Sequence, residues 1–442
     1  MKIILENVRT FDQRAEFPLT PLTFLVGENS TGKSTLLGMM SALFHSYTFP
    51  IEPDFNRMPY SLGTYNTIST YKGGRVGHSP YFAMGYEMPL KGESSILKVM
   101  ATYVNHEGIP SLDKLDVCVG EGAEKRSLNL KVLDRRSESL QVMATMQSRD
   151  QGTDEFQFSV AWNRDIFFAG DPLNLIMSGY YNARRNKAGG AKSYSAEDIE
   201  TGNRLLSFLS FTQMVPLPFS IAPIRTEPQR LYDQARQYVS PMGVHIPFIL
   251  DRMLSAREKK MPNDPEDTIN RFGKEGGLFE GLSVKHLADD PTYPFELRIK
   301  LGRKRNLIDV GYGVSQALPV VVQSAIMEDG HMILMQQPEV HLHPRAQAAL
   351  GTLFCNVAAV GNRTFVIETH SDFIVDRVRQ EVAKGTIPAS SVSILFFHRE
   401  GYESKVYPLN LDDNGNVVNA PHLYREFFLR EEMNLFTRNS NG

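Results

Sequence analysis

The stretch LTFLVGENSTGKSTLLGMMSALFHSY, residues 22–47, constrains the fold more than any other part of the chain. LTFLV reads as a buried strand, and apolar residues recur at helical spacing from Thr35 onward. A strand that passes through a short Gly-rich loop straight into a helix opens a βαβ unit, so a parallel sheet with crossover helices is expected. The loop GENSTGKS fits the pattern G-x-x-x-x-G-K-[ST] at Gly27, Gly32, Lys33 and Ser34. Glycines let backbone N–H groups turn inward around an anion, and the helix N-terminus adds its positive end. Lys33 offers a point charge to β/γ-phosphates, and Ser34 a hydroxyl to Mg²⁺. The candidate phosphate-binding residues are therefore Asn29, Ser30, Thr31, Gly32, Lys33, Ser34 and Thr35. A Gly/Ser loop that only caps a helix is the plain alternative. The order strand, loop, Lys-Ser, helix favours the phosphate site.

The chain has 442 residues, 42% hydrophobic and 22% charged, ordinary for a globular protein of one to three domains. A net charge of −3 gives no global basic field, so any nucleic-acid site must be a local patch. Two cysteines, Cys118 and Cys355, argue against a disulfide scaffold or zinc cluster and fit a reducing compartment. MKIILENVRTFDQRAEF is no signal peptide, and no apolar run nears a membrane span, so a soluble, cytoplasmic protein is expected.

Along the chain, residues 2–26 suggest two short strands around a turn. Between about 80 and 163 the segments ILKVMATYV, LDVCVG, LNLKVL, LQVMATM and FQFSVAW suggest an antiparallel meander. Residues 195–261 lean helical, interrupted by a Pro-rich stretch at 215–228. From 311 onward strands and helices alternate, which implies a parallel sheet. The ends of the chain are thus α/β, and the middle looks like an insertion.

Three later segments each fit a partner for the phosphate loop. Residues 309–316, DVGYGVSQ, precede an apolar helix and make a second Gly-rich helix start, a second anion nest. The strand in HMILMQQPEVHLHP, 331–344, ends in the amides Gln336 and Gln337, with Glu339 beyond, where nucleotide hydrolases usually place acids. TFVIE, 364–368, runs into Thr369 and His370, and the carboxyl ends of parallel strands are where ligands bind in open α/β sheets.

The order and spelling of these segments resemble an ABC-type ATPase head of the SMC/OLD kind. The nearest branch is stand-alone ATPases, found in phage-defence systems, whose strand reads acid-Gln-Pro-Glu-x-His-Leu-His-Pro. The resemblance covers about 1–50 and 215–432; the stretch 51–214 is unmatched. It implies an α/β, ABC-ATPase-like head with a central, mostly parallel sheet, an antiparallel β lobe and a helical insertion. The head would comprise 1–50 with Walker A and 215–442 with the remaining motifs, and 51–214 would be a mixed β/α insertion. Gly27–Thr35 would be Walker A, and Gly311–Gln316 the signature loop, with Gly313, Ser315 and Gln316 reaching nucleotide. Residues 331–337 would be Walker B, Glu339–Pro344 the D-loop and His370 the switch histidine. Gln336, Gln337, Glu339 and His370 become the candidate catalytic residues, and Ser34 and Gln336 the candidate metal ligands. The segment 221–233, with Arg225 and Arg230, and the segment 414–432 also resemble this branch.

ATP and Mg²⁺ are the implied cofactors. A homodimer or larger homo-oligomer is implied because such heads share each ATP between one protomer's Walker A and the other's signature loop. The departure is Gln336, where the family carries an acid: an amide is a weaker magnesium ligand than a carboxylate. Two accounts stay open. The site is naturally impaired, with Glu339 compensating, or a Glu→Gln change of the kind that traps bound ATP stands there.

His341 and His343 do not read as a metal pair, because i and i+2 side chains align only in a strand and Pro344 starts a helix. ARRNKAGGAK, 183–192, is a basic Gly-rich stretch, more often a solvated loop than a nucleic-acid contact. The favoured expectation is an ATP-driven dimeric switch controlling an effector in trans, a nuclease, in phage defence or DNA metabolism. Its rival is a head acting directly on DNA, against which the absence of sustained heptads counts. A membrane-transport subunit fits less well, because the signature loop is a poor match.

Overall fold

The computed structural model describes residues 1–45, 49–90, 95–120, 125–136, 139–148, 152–161, 172–187, 194–213, 215, 218–233, 238–255, 264–288 and 293–424. The chain opens with strands β1 (Lys2–Glu6), β2 (Ala15–Pro18) and β3 (Leu22–Gly27), followed by helix α1 (Lys33–Leu43). Two compact units follow from the contacts.

The first unit comprises Met1–Leu19, Ser34–Pro218 and Gly401–Glu403. After the short helix α2 (Tyr65–Ile68) come β4 (Tyr81–Pro89), β5 (Ile96–His106), β6 (Ile109–Val119), β7 (Arg126–Arg135), β8 (Ser139–Ser148) and β9 (Gly152–Ala161). They form an eight-stranded sheet in the order β2-β1-β4-β5-β6-β7-β8-β9, with antiparallel neighbours throughout. Alternation drives it: every second residue of β5 from Leu97 to Tyr103 is buried, so one face is core and the other is not. The meander expected from the sequence is present. It is larger than expected, because β1 pairs with β4 and carries the sheet back to the chain's first residues. Helix α3 (Pro172–Lys187), which the sequence reading did not anticipate, lies on β9. Gly179 makes the approach possible, since a Cβ there would lie 2.5 Å from the Ser159 carbonyl oxygen. Helix α4 (Ala196–Ser210) starts on a capping box in which the Ser195 side chain accepts from the Asp198 N–H and the Asp198 carboxylate accepts from the Ser195 N–H. In the basic stretch 183–192, residues 188–192 lie outside the described residues, as do 425–432 of the C-terminal segment.

The second unit comprises Thr20–Lys33, Phe219–Glu400 and Ser404–Gly442. Its elements are β10 (Pro218–Ile221), α5 (Ile246–Ser255), α6 (Pro265–Gly276), β11 (Gly281–His286), β12 (Phe295–Leu301), β13 (Arg303–Asn306), α7 (Tyr312–Ala325), β14 (Met332–Gln336), α8 (Pro344–Ala358), β15 (Thr364–Glu368), α9 (Asp372–Ala383), β16 (Val392–Glu400), β17 (Glu403–Leu411) and β18 (Val417–Val418). The seven-stranded sheet runs β10-β14-β15-β3-β16-β17-β18, and its centre, β14-β15-β3-β16, is parallel. Near-continuous apolar runs such as ILM and FVI suit strands buried on both faces. They join one core with the apolar sides of α5 to α9. Hairpin strands β11-β12-β13 form a separate three-stranded sheet.

Helix α7 starts five residues before the apolar run that announced it in the sequence, with Gly311 as N-cap. The Ser315 hydroxyl donates to the Tyr312 carbonyl at 2.8 Å, tying down the first turn. This is how an otherwise turn-like Gly-Tyr-Gly enters a helix.

Candidate functional site

Register brings the site together. In the parallel ladder Gln336 lies opposite Glu368, and Glu368 opposite Leu25, two residues before the loop begins at Gly27. The carboxyl ends of β14, β15 and β3 therefore finish level, where open α/β sheets bind ligands.

The loop that leaves β3 depends on its glycines. Gly27 has φ +131°, and a Cβ there would collide with the Phe397 carbonyl oxygen of β16. Ser30 and Gly32 also have positive φ, so the loop curls back on itself. The Thr31 hydroxyl donates to the Glu28 carbonyl at 2.8 Å. Lys33 closes the curl: its buried ammonium donates to the carbonyls of Gly27 at 3.0 Å and Glu28 at 2.5 Å. Burial lowers the Lys33 pKa, and the charges of Glu368 and Glu28 oppose that shift. Ser34 and Thr35 continue helix α1 in the first unit, where Arg9 donates to the Thr35 hydroxyl at 3.2 Å and to the Leu62 carbonyl at 2.9 Å.

At the end of β14, the Gln336 amide nitrogen points at the Glu368 carboxylate, 3.4 Å away. Gln337 has φ +43°, and its N–H donates to the Glu368 carbonyl at 2.8 Å. Glu339 is 8% exposed, and its carboxylate accepts the His370 backbone N–H at 2.8 Å. Burial raises the Glu339 pKa, against the His370 N–H and the Arg225 charge. The His370 side chain reaches solvent, yet the surrounding protein lowers its pKa, the Lys33 charge adds to this, and Glu368 opposes it. Its imidazole is therefore neutral at pH 7 and able to accept or donate a proton. Lys33, Gln336, Gln337, Glu339 and His370 thus gather at the ends of three neighbouring strands.

The signature-like loop is tied elsewhere. Arg225, 2% exposed, donates to the carbonyls of Gln316 at 3.1 Å, Gln337 at 3.1 Å and Pro338 at 3.5 Å. One guanidinium therefore fixes the start of α7 to the turn after β14, and burial lowers its pKa to about 10. A Cβ on Gly313 would lie 2.8 Å from the His341 carbonyl, and the Tyr312 and His341 rings meet edge to face at 5.1 Å. Gln316 is 1% exposed, with its amide directed at the Thr226 carbonyl, and Ser315 is buried. Arg230 makes a two-pronged surface pair with Asp309 at 2.7 and 3.1 Å. His343 caps α8 through Nδ1, and the Arg345 guanidinium donates to the last carbonyls of α6, Lys274 and Glu275.

The sequence reading missed Glu368. The signal was present as the last letter of TFVIE, but it read as part of an apolar strand; only the register with Gln336 and Leu25 places its carboxylate at the site.

Residues 260–375 match the family model described as an AAA ATPase domain. A curated relative, the OLD nuclease of Thermus scotoductus (strain ATCC 700910 / SA-01), is 26% identical over 135 residues, covering 29% of this chain. The match spans only 25% of that relative's length. Among solved structures, an Smc head bound to the C-winged helix domain of ScpA is 12% identical with a TM-score of 0.40, covering 93% of this chain and 97% of that one. The SMC head domain from Thermotoga maritima is 12% identical with a TM-score of 0.36, covering 92% and 97%. The chain is thus similar to an AAA ATPase domain over residues 260–375 and to an OLD nuclease over 135 residues. No helix among the described residues is long and apolar enough to cross a membrane.

Proposed function

We propose that the chain is a homodimeric ATP switch that controls an effector in trans, a nuclease, in phage defence or DNA metabolism. The observation that carries this reading is the meeting of Lys33, Gln336, Glu368 and the Glu339–His370 pair at the level ends of β3, β14 and β15. The loop amides and Lys33 would hold the phosphates; on binding, the Lys33 ammonium exchanges its Gly27 and Glu28 carbonyls for phosphate oxygens. Glu339 holds the His370 backbone in place, and the neutral imidazole stands ready to hydrogen-bond the γ-phosphate or a water. The oxygen donors at the strand ends, the Glu368 carboxylate and the Gln336 amide, suit Mg²⁺, which takes hard oxygen ligands. Bound there, Mg²⁺ would offset the phosphate charge.

The second nest, at Gly311–Ser315, is fixed by Arg225 to the turn beyond β14. That supports its use by the partner's nucleotide, with closure driven by a ligand that binds the closed dimer better than the open one. The nuclease partner rests on the OLD nuclease relative, whose match covers a short segment.

A second reading has its own observation. The hairpin β12–β13 carries Arg298, Lys300, Arg303, Lys304 and Arg305 within RIKLGRKR, with Arg303 to Arg305 exposed, and would suit a DNA backbone. Sedimentation velocity with and without ATP and Mg²⁺ tests the first reading: ATP-dependent dimers are expected, and a chain that stays monomeric at saturating ATP overturns it. DNA binding lost in Arg303→Glu with Arg305→Glu, and steeply salt-dependent in the parent, would favour the second.

A further inference from the structure

The strand between the phosphate loop and the amide pair ends in a carboxylate. β15 lies directly beside β3, whereas β14 lies one strand further out, a difference of about 5 Å at the usual strand spacing. Glu368 is therefore nearer to the strand that feeds the loop than Gln336 is. Its backbone is pinned on both sides: its carbonyl accepts the Gln337 N–H at 2.8 Å, and the following Thr369 N–H donates to Leu25 at 3.2 Å. The side chain is 6% exposed, and the Gln336 amide nitrogen lies 3.4 Å from Oε2. Its register partner on β3 is Leu25, two residues before the loop that carries Lys33 begins.

We propose that Glu368 supplies the carboxylate that receives the magnesium of the bound nucleotide, directly or through one water, in place of the acid absent at Gln336. The step rests on the ATP-switch reading above. Mg²⁺ carried by a nucleotide needs only one or two protein carboxylates, because the phosphates and water complete its shell. The chain provides one, on the neighbouring strand. The Gln336 amide then acts as a donor that orients the Glu368 carboxylate, as partners of metal-bound carboxylates do.

The plain alternative is that Glu368 is only a counter-ion for Lys33. The two roles separate in a binding experiment. ATPγS affinity is measured by calorimetry in EDTA and in Mg²⁺ for the parent chain, for Lys33→Ala, for Glu368→Gln and for the swap Gln336→Glu with Glu368→Gln. Mn²⁺ electron paramagnetic resonance on the same complexes reads the metal directly. In the parent Mg²⁺ should tighten binding. In Glu368→Gln that tightening should fall by about 10- to 100-fold while affinity in EDTA holds, and the swap should restore it by returning a carboxylate to the pair. A counter-ion role alone would shift affinity equally with and without Mg²⁺, and that result, or an unchanged Mg²⁺ effect in Glu368→Gln, overturns the proposal. A swap that folds and binds ATPγS but recovers no Mg²⁺ effect overturns it too, even if Glu368→Gln itself is unstable. A parent that binds no ATPγS under either condition removes the ATP reading and this step with it, whereas Lys33→Ala losing all binding supports the reading on which the step stands.

Discussion

Gly311 offers a clean way to test nucleotide-driven closure. It is the exposed N-cap of α7, with φ −57° and ψ 139°, a conformation any residue adopts, and a Cβ there meets nothing within 4 Å. Gly311→Asp should fold as well as the parent, since Asp is a better N-cap than Gly by a few tenths of a kcal/mol and its charge suits the helix end. The same charge would face the γ-phosphate of a partner's ATP. Two unit charges about 6 Å apart in an effective dielectric of about 20 repel by about 3 kcal/mol. That is roughly a 100-fold loss per site, compounded in a dimer with two equivalent sites. Sedimentation velocity with ATPγS and Mg²⁺ should show the parent as a dimer and Gly311→Asp as a monomer. Each protomer should still bind nucleotide through Lys33, and higher salt should partly restore the dimer. A Gly311→Asp chain that dimerises with ATPγS as the parent does would refute the reasoning, because the repulsion would then have no phosphate to act on.

Lys33→Ala should abolish ATP binding by calorimetry, since it removes the charge for the phosphates and the closure of the loop onto Gly27 and Glu28. Arg225→Met keeps the volume but leaves three carbonyls without their donor, and chemical denaturation should show a loss of about 3 kcal/mol or more. His245 is buried, its Nδ1 accepting the Ser240 N–H and its Nε2 facing Gln323, and burial lowers its pKa. The unfolded chain therefore takes up the proton first as pH falls through about 6.5, and stability should decline below that pH; denaturation at pH 7.5 and 5.5 should show the drop, reduced in His245→Gln. Gln336→Glu should speed hydrolysis by about 100-fold if the missing acid limits turnover; equal turnover would leave Glu368, Glu339 and His370 carrying the reaction.

Local pattern and long-range pairing were unequally visible in the sequence. The strands of the meander were legible because alternation is a local signal, as in ILKVMATYV. The loop around Lys33 was legible because its glycines are forced by positive φ and by the Phe397 carbonyl. What the text of the chain does not carry is pairing. Nothing in KIILE says that β1 will join β4 some eighty residues later. Helix α3 hid because GYYNARRNK mixes weak helix formers with a polar face, and its packing on β9 outweighs that propensity. Gln316 looked like a ligand-facing amide, yet the helix turns it inward to Thr226 and Arg225, a direction set by where α7 starts. Glu368 and Gln336 are thirty-two positions apart in sequence and adjacent only through parallel register.

The polar groups of the site bond one another. Lys33 donates to two carbonyls of its own loop, which offsets the cost of burying its charge. One carboxylate stands at the paired strand ends where two would repel, and the amide opposite donates to it. Nucleotide binding would exchange the Lys33 contacts, and a magnesium ion would meet one acid at the pair rather than two. Apparent affinity is the intrinsic affinity multiplied by the fraction of protein in the binding-competent arrangement. Under the dimer reading, contacts from a partner's Gly311–Ser315 nest would add to those of the phosphate loop and favour closure. Arg225 makes that addition consequential: it bonds both the nest's helix and the turn after β14, so a shift of one is passed to the backbone that holds Gln337 and, through Glu339, His370.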